Sequence, residues 1–256
     1  MDIFQAIILG IVQGITEWLP ISSKSHLILM QNIFGITQPI IFDLMLHIAS
    51  LAVVIFVFWK DIWELIVGIV NRKRESLMMA LFIIIATIPI AIIGYLLENF
   101  VKSTMGSLYV LGYGFLFTAL IIYLSRFPRK KDKALTFWNS LIIGLGQVLS
   151  LFPGVSRSGT TISTGMILGI KKEDIARFSF IIFIPAILGA TVLELKDIGQ
   201  IGSISSLIVG MIVTMIVGYL SLKLLLDIIR KDKFSWFSVY CAVLGILVLL
   251  FAYGIL

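Results

Sequence analysis

Between Ser203 and Leu226 the only charged residue is Lys223. A helix of that length exceeds the ~30 Å hydrocarbon core of a bilayer at ~1.5 Å of rise per residue. Five more runs have the same character: Ile40–Trp59, Ser76–Leu97, Leu108–Ser125, Ala176–Leu195 and Trp236–Leu256. No soluble architecture buries six such segments in 256 residues, of which 59% are hydrophobic and only 13% charged. Soluble domains carry about 25% charged residues. The chain therefore reads as an all-α polytopic membrane protein with six full transmembrane helices, placed in a cell (plasma) membrane.

Two further apolar segments are too short to span. Phe4–Leu19 runs into "PISSKSH" and Phe137–Phe152 into "PGVSRSG". Each is roughly 16 residues, or ~24 Å of helix. Each is broken by proline and polar residues, then resumes. They read as two re-entrant helical hairpins, whose irregular backbone is tolerated at membrane depth only where it lines a protein cavity.

Positive charge gives the sidedness. Arg72, Lys73 and Arg74; Arg126, Arg129, Lys130, Lys131 and Lys133; Lys171 and Lys172; and Arg230, Lys231 and Lys233 all fall in loops that share one side. That side is cytoplasmic by the positive-inside rule. The loops around Lys102 and Lys196 lie outside. The first hairpin then enters from the outside and the second from the cytoplasm. The net charge of +6 reflects orientation first and anionic lipid second, not nucleic acid. Cys241 has no intrachain partner and reads as a packing residue. Asp2 stands where a signal peptide has basic residues, so no cleavable leader is expected.

The breaks resemble each other. "GIVQGITEWLPISSKSH" and "GLGQVLSLFPGVSRSGT" align Gln13 with Gln147, Pro20 with Pro153, Ser23 with Ser156, Lys24 with Arg157 and Ser25 with Ser158. With the sidedness above, this makes an inverted-topology repeat, one copy over about 1–125 and the other over about 134–256. Such repeats with broken helices place a polar site near the midplane.

The second break suits phosphate. Arg157 offers a planar, bidentate cation. Ser156, Ser158, Thr160 and Thr161 offer hydroxyls. Gly154 and Gly159 allow close backbone approach. A helix from about Ile162 presents its N-terminus to an anion. The alternative for Arg157 is snorkelling or a carboxylate pair, with the hydroxyls capping a helix. In the first break Gln13 and Glu17 share a helix face, and Ser22, Ser23 and His26 follow. Glu17 is costly at membrane depth unless it is paired or serves a site; a structural pair with Arg157 is one reading. His26 is either a reacting imidazole or a hydrogen-bonded packing residue. Asp43 and His47 form a second polar pair, either supporting the site or bonded to each other. A serine or histidine nucleophile, a carboxylate and an arginine–hydroxyl cradle suit phosphoryl transfer. A hard divalent cation bridged by Glu17 and substrate phosphates is compatible. A lipid-phosphate transporter is the competing class, since it shares inverted repeats and broken helices.

"VQGITEWLPISSKSHLI" together with "FPGVSRSGTTIS" resembles the undecaprenyl-diphosphate phosphatases of the bacitracin-resistance type, over essentially the whole chain. The resemblance implies hydrolysis of a polyprenyl diphosphate to the monophosphate, recycling the lipid carrier of cell-envelope glycan synthesis. It implies a divalent cation, usually Mg²⁺ or Ca²⁺, held at Gln13 and Glu17. It carries the family's serine and histidine onto Ser23 and His26. Its P-G-x-S-R-S-G-x-T motif falls on Pro153, Gly154, Ser156, Arg157, Ser158, Gly159 and Thr161. Gln13 departs from the common glutamate, which removes one acidic ligand, and Ser25 departs from a common glycine. Whether the chain forms a homodimer is left open by the sequence.

Overall fold

The computed structural model describes residues 2–35, 40–127, 133–194 and 203–255. Arg129, Lys130, Lys131 and Lys196, used above for sidedness, and Leu195 lie outside them. The described residues are all-helical apart from one isolated bridge between Lys133 and Ile170. The helices are α1 (Ile3–Thr16), α2 (Ser23–Phe34), α3 (Ile40–Val57), α4 (Trp59–Val70), α5 (Arg74–Leu96), α6 (Glu98–Thr104), α7 (Leu108–Leu124), α8 (Phe137–Val148), α9 (Arg157–Ile167), α10 (Lys172–Glu194), α11 (Ile204–Arg230) and α12 (Trp236–Ala252).

Four of these, α3, α5, α10 and α11, are long and apolar enough to cross a bilayer, with mean hydropathy of 2.0 to 2.7. Less than half of each such segment is buried within the protein. The remaining apolar surface, including Ile84, Ile88, Ile92, Ile208, Ile212 and Ile216, has only lipid to face. The chain is thus a polytopic membrane protein. The expected spans at Leu108–Ser125 and Trp236–Leu256 form helices of 17 residues each. α7 is joined to α6 through a bend of 101°. Two helices have no counterpart in the sequence reading. α6 is a single short turn segment. α4 breaks from α3 at Phe58 and carries Trp59 and Trp63 exposed and stacked, as an amphipathic helix at a membrane interface does.

Both short apolar segments are broken as the sequence indicates, the first ending at Thr16 rather than Leu19. α1 has 14 residues and ends at Thr16. α8 has 12, followed by a single 3₁₀ turn over Leu149–Leu151. Each break then restarts as a new helix, α2 or α9.

The packing is reciprocal between the halves. α1 lies on α11 and α8 on α5; α3 on α11 and α10 on α5; α3 also meets α10, and α7 meets α12. Small residues permit the close crossings. A Cβ on Gly10 would stand 2.7 Å from the Gly210 carbonyl, and one on Gly144 2.6 Å from the Ala86 carbonyl. Gly112 and Gly245 face each other's backbones across α7 and α12. Without a hydrophobic driving force between helices in lipid, such small-residue contacts hold the bundle together. Lys172 pairs with Asp232 and Arg177 with Asp61, so the loops read as cytoplasmic meet at one end.

Candidate active site

Glu17 lies in the first break, directly after α1, and is buried. A buried carboxylate persists only when its oxygens are satisfied, and here four groups converge on it. Arg157 Nη2 donates to Oε1 at 3.0 Å, crossing from the second break. Ser23 donates its hydroxyl to Oε2 at 2.6 Å, and Gln13 Nε2 donates to the same oxygen at 3.1 Å. His47 Nε2 stands 3.8 Å away. The guanidinium carbon lies over the Phe183 ring, 4.0 Å from its centroid, and Trp18 packs edge-on against Phe183 and Phe180 as the apolar wall behind it. Only one arm of the fork is spent: Arg157 Nη1 is buried without a hydrogen-bond partner among the described residues.

These groups open on a cavity of about 170 Å³, lined by Glu17, Ser22, Ser23, Lys24, His47, Ser156, Arg157 and Ser158 among others. It runs into a larger, mainly apolar groove of about 450 Å³ between α5 and α10, lined by Thr87, Gly94, Pro185, Gly189 and Leu193. Ile90, Ser150, Leu151, Ala186 and Ala190 belong to both walls. The groove ends beside Tyr95, Glu98 and Lys102, the end read from the sequence as external.

The local backbone explains which hydroxyls face the cavity. Ser22 turns with φ of 69°, and α2 begins at Ser23 with no side-chain cap. Its hydroxyl bonds that of Ser25 at 2.9 Å, and Ser25 Oγ accepts the Gly154 N–H, so the breaks are tied together. Gly154 has φ of 86°, and a Cβ there would meet the Leu111 carbonyl of α7 at 2.2 Å. Thr118 on α7 donates to the Gly154 carbonyl and accepts the Ser156 N–H. Sequence reasoning missed Thr118 and Phe183; a lone hydroxyl or ring in a span gives no signal.

Several sequence expectations need correction. α9 begins at Arg157, not near Ile162, with Ser156 capping the Gly159 N–H. Gly154 and Gly159 therefore have their N–H groups engaged within the protein and do not line the cavity. Thr160 and Thr161 donate back to the carbonyls of Ser156 and Arg157, and Thr161 also bonds Ser179 at 2.6 Å; they sit behind the cradle rather than on it. His26 turns away from Glu17. Its Nδ1 donates to the Ser22 carbonyl and its Nε2 meets the Tyr240 hydroxyl, both at 2.8 Å, while the ring packs on Tyr240 and Phe115. His47, not His26, is the imidazole on the cavity wall; its Nδ1 donates to the Asp43 carbonyl at 2.9 Å. Gln13 lies one layer below the cavity, its Oε1 buried without a hydrogen-bond partner among the described residues.

The chain matches the family model described as "Bacitracin resistance protein BacA" over residues 6–247. It is 42% identical to an undecaprenyl-diphosphatase of Methanobrevibacter smithii, with 97% of each chain covered. It is 39% identical to one of Methanosphaera stadtmanae and 38% to one of Halothermothrix orenii, with at least 98% of either chain covered in both pairs. Matches of this extent leave no segment of the bundle or of either break outside the comparison, and the chain belongs to the bacitracin resistance protein family.

Proposed function

We propose that this chain hydrolyses undecaprenyl diphosphate to the monophosphate and inorganic phosphate, with Ser23, Glu17 and Arg157 as its catalytic residues. The activity is the one its relatives are named for. The observation that carries the residue assignment is the convergence of a serine hydroxyl, a carboxylate and a half-paired guanidinium on one polar cavity continuous with an apolar groove. A lipid diphosphate needs both compartments: hydrogen-bond donors for the headgroup and an apolar path for the tail. Each buried CH₂ of that tail is worth about 0.8 kcal/mol.

The terminal phosphate takes the free Nη1 of Arg157 and the hydroxyls of Ser22, Ser156 and Ser158 on the rim. Ser23 Oγ attacks the terminal phosphorus and its proton passes to Glu17 Oε2, to which it is already bonded. The bond from that phosphorus to the bridging oxygen breaks, and the electron pair leaves on the prenyl monophosphate. The leaving bridging oxygen takes that proton from Glu17. The ionised Glu17 then deprotonates a water that attacks the phosphoserine, the bond from phosphorus to Ser23 Oγ breaks, inorganic phosphate departs, and Ser23 Oγ takes back the proton held by Glu17. Arg157 opposes the charge on the transferring phosphoryl group throughout. His26 acts as a positioning residue, holding the Ser22 carbonyl so that Ser23 faces Glu17. A lipid-phosphate transporter would have no use for the Ser23–Glu17 pair.

A divalent cation fits these donors only when shared with the substrate. Among the described residues no group of three or more His, Cys, Asp or Glu side chains gathers closely enough to hold a metal. Glu17 would hold magnesium or calcium together with diphosphate oxygens, the usual division for a hard cation, and Gln13, below the cavity and donating to Glu17 Oε2, would steady that carboxylate. Bound there it neutralises charge on the diphosphate.

The same reading takes α1–α2 and α8–α9 as re-entrant hairpins within inverted repeats of about 1–125 and 134–256, with six spans around them. The reciprocal packing of the halves supports it. The headgroup arrives from the outer leaflet, where the apolar groove opens, and the product returns to the carrier pool of envelope glycan synthesis, which gives bacitracin resistance. Phosphate release from a polyprenyl diphosphate by the purified protein is the test. Turnover lost in Glu17→Gln is the expected result, and a wild type that releases no phosphate above background with Mg²⁺ or Ca²⁺ present overturns the proposal.

A further inference from the structure

The catalytic cavity is short of positive charge for its substrate. Glu17 and Arg157 neutralise each other at 3.0 Å, whereas a diphosphate arrives strongly anionic. Among the described residues one further permanently charged side chain lines the cavity: Lys24. It follows Ser23 in the first turn of α2, a helix start without a side-chain cap. It is exposed, and none of the ion pairs found among the described residues includes it. Lys24 is also, among the described residues, the one charged residue that belongs to the walls of both the polar cavity and the apolar groove. It therefore stands at the neck where headgroup gives way to tail.

Given the phosphatase reading, on which this rests, we propose that Lys24 determines specificity for a diphosphate by binding the phosphate that carries the prenyl chain, while Arg157 and Ser23 take the terminal one. The tail in the groove fixes the order: the phosphate bonded to it sits at the neck, and the terminal phosphate lies deeper, against Ser23. The sequence alignment of the breaks puts Lys24 and Arg157 at matching positions. Two repeat-related cations thus meet a substrate that has two phosphates. A point charge on a flexible stem suits the neck, where the bound group stays attached to a moving tail, while the planar fork serves the phosphoryl group that must be held in line. The uncapped N–H groups of the α2 first turn add to the pull on the same anion.

The test uses purified full-length protein, farnesyl diphosphate as substrate, and two inhibitors that separate the subsites: farnesyl monophosphate for the neck and inorganic phosphate for the deep site. In Lys24→Met the KM for farnesyl diphosphate rises about tenfold and inhibition by farnesyl monophosphate weakens by about the same factor, the loss of one charge-assisted contact. Inhibition by inorganic phosphate stays within about twofold, and Lys24→Arg restores most of the affinity. Lys24→Gln carries the same test should the methionine variant aggregate. An unchanged KM, or equal weakening of both inhibitors, overturns the assignment of Lys24 alone. A wild type that is inactive on farnesyl and longer prenyl diphosphates overturns the phosphatase reading instead.

Discussion

The two breaks share a six-residue pattern but satisfy their polar groups in opposite ways. In the second, the serine before the new helix caps it, the two threonines bond their own preceding turn, and the positive φ falls on a glycine. Gln147 reaches out to the Ala86 carbonyl of α5. Most of its polar groups are spent on the fold or on backbone ties such as Ser158 to the Trp18 carbonyl, and Arg157 is its one charged group that reaches across. In the first break, the positive φ falls on Ser22, the helix start has no side-chain cap, and Gln13 and Ser23 both point to Glu17. The second break is a scaffold that delivers one cation. The first is strained and under-bonded, the state in which functional residues are found.

The sharpest way to break that comparison is to remove the charge at the centre of the first break. Glu17→Gln keeps the shape but loses the proton acceptor for Ser23, so phosphate release falls about 10³-fold, the scale of a lost general base. Ser23→Ala falls by a similar factor, and the double variant falls no further, because the two act as one unit. Additive losses in the double variant would separate Ser23 from Glu17.

In the second break the large effect belongs to folding. Gly154→Ala places a Cβ 2.2 Å from the Leu111 carbonyl at a φ of 86°, a clash of backbone on backbone that no side-chain motion relieves. We expect a loss above about 3 kcal/mol, read as failure to recover monodisperse protein. A soluble, active Gly154→Ala would mean that the α7 contact is looser than described.

Arg157→Lys tests the one residue by which the scaffold enters the chemistry. A lysine can oppose Glu17 but cannot pair with it while a second fixed donor faces the substrate. Activity falls about 10- to 100-fold, mostly in kcat, and the protein remains folded. Activity equal to wild type would remove the need for the free Nη1.

Glu17, Ser23 and Arg157 were legible in the sequence because charge and paired hydroxyls are expensive in a hydrocarbon setting and point to a site. The helix breaks were legible from proline and segment length. The histidines were not. Both lie near polar neighbours, and which one faces Glu17 depends on the rotation of α2, set by the unusual backbone of Ser22. No pattern announces a positive φ at a serine. The threonines misled for a different reason: in a helix their hydroxyls bond the carbonyl three or four residues back, and that local partner outcompetes a distant ligand. The start of α9 was readable after all, since Ser156 is a favoured cap; the run of hydroxyls and glycine after it looked like loop. α4 was hidden inside an apolar run that continues through its break at Phe58.

The smallest effect concerns the two helix starts. Ser156→Ala removes the side-chain acceptor of the Gly159 N–H and costs about 1 kcal/mol, as N-cap losses do. For a chain of this size that lowers the midpoint of thermal unfolding by about 2–4 °C. Ser22→Gly at the matching start removes no cap, since none is made. It relieves the positive φ, which glycine adopts freely, and gives up one hydroxyl contact to Ser25. These terms are each about 1 kcal/mol and opposite in sign, so its midpoint should stay within about 2 °C of wild type. Thermal unfolding of both variants in the same detergent decides the matter. Equal losses would mean that the serines serve their helices alike, and the division into scaffold break and reactive break would then rest on Glu17 and its partners alone.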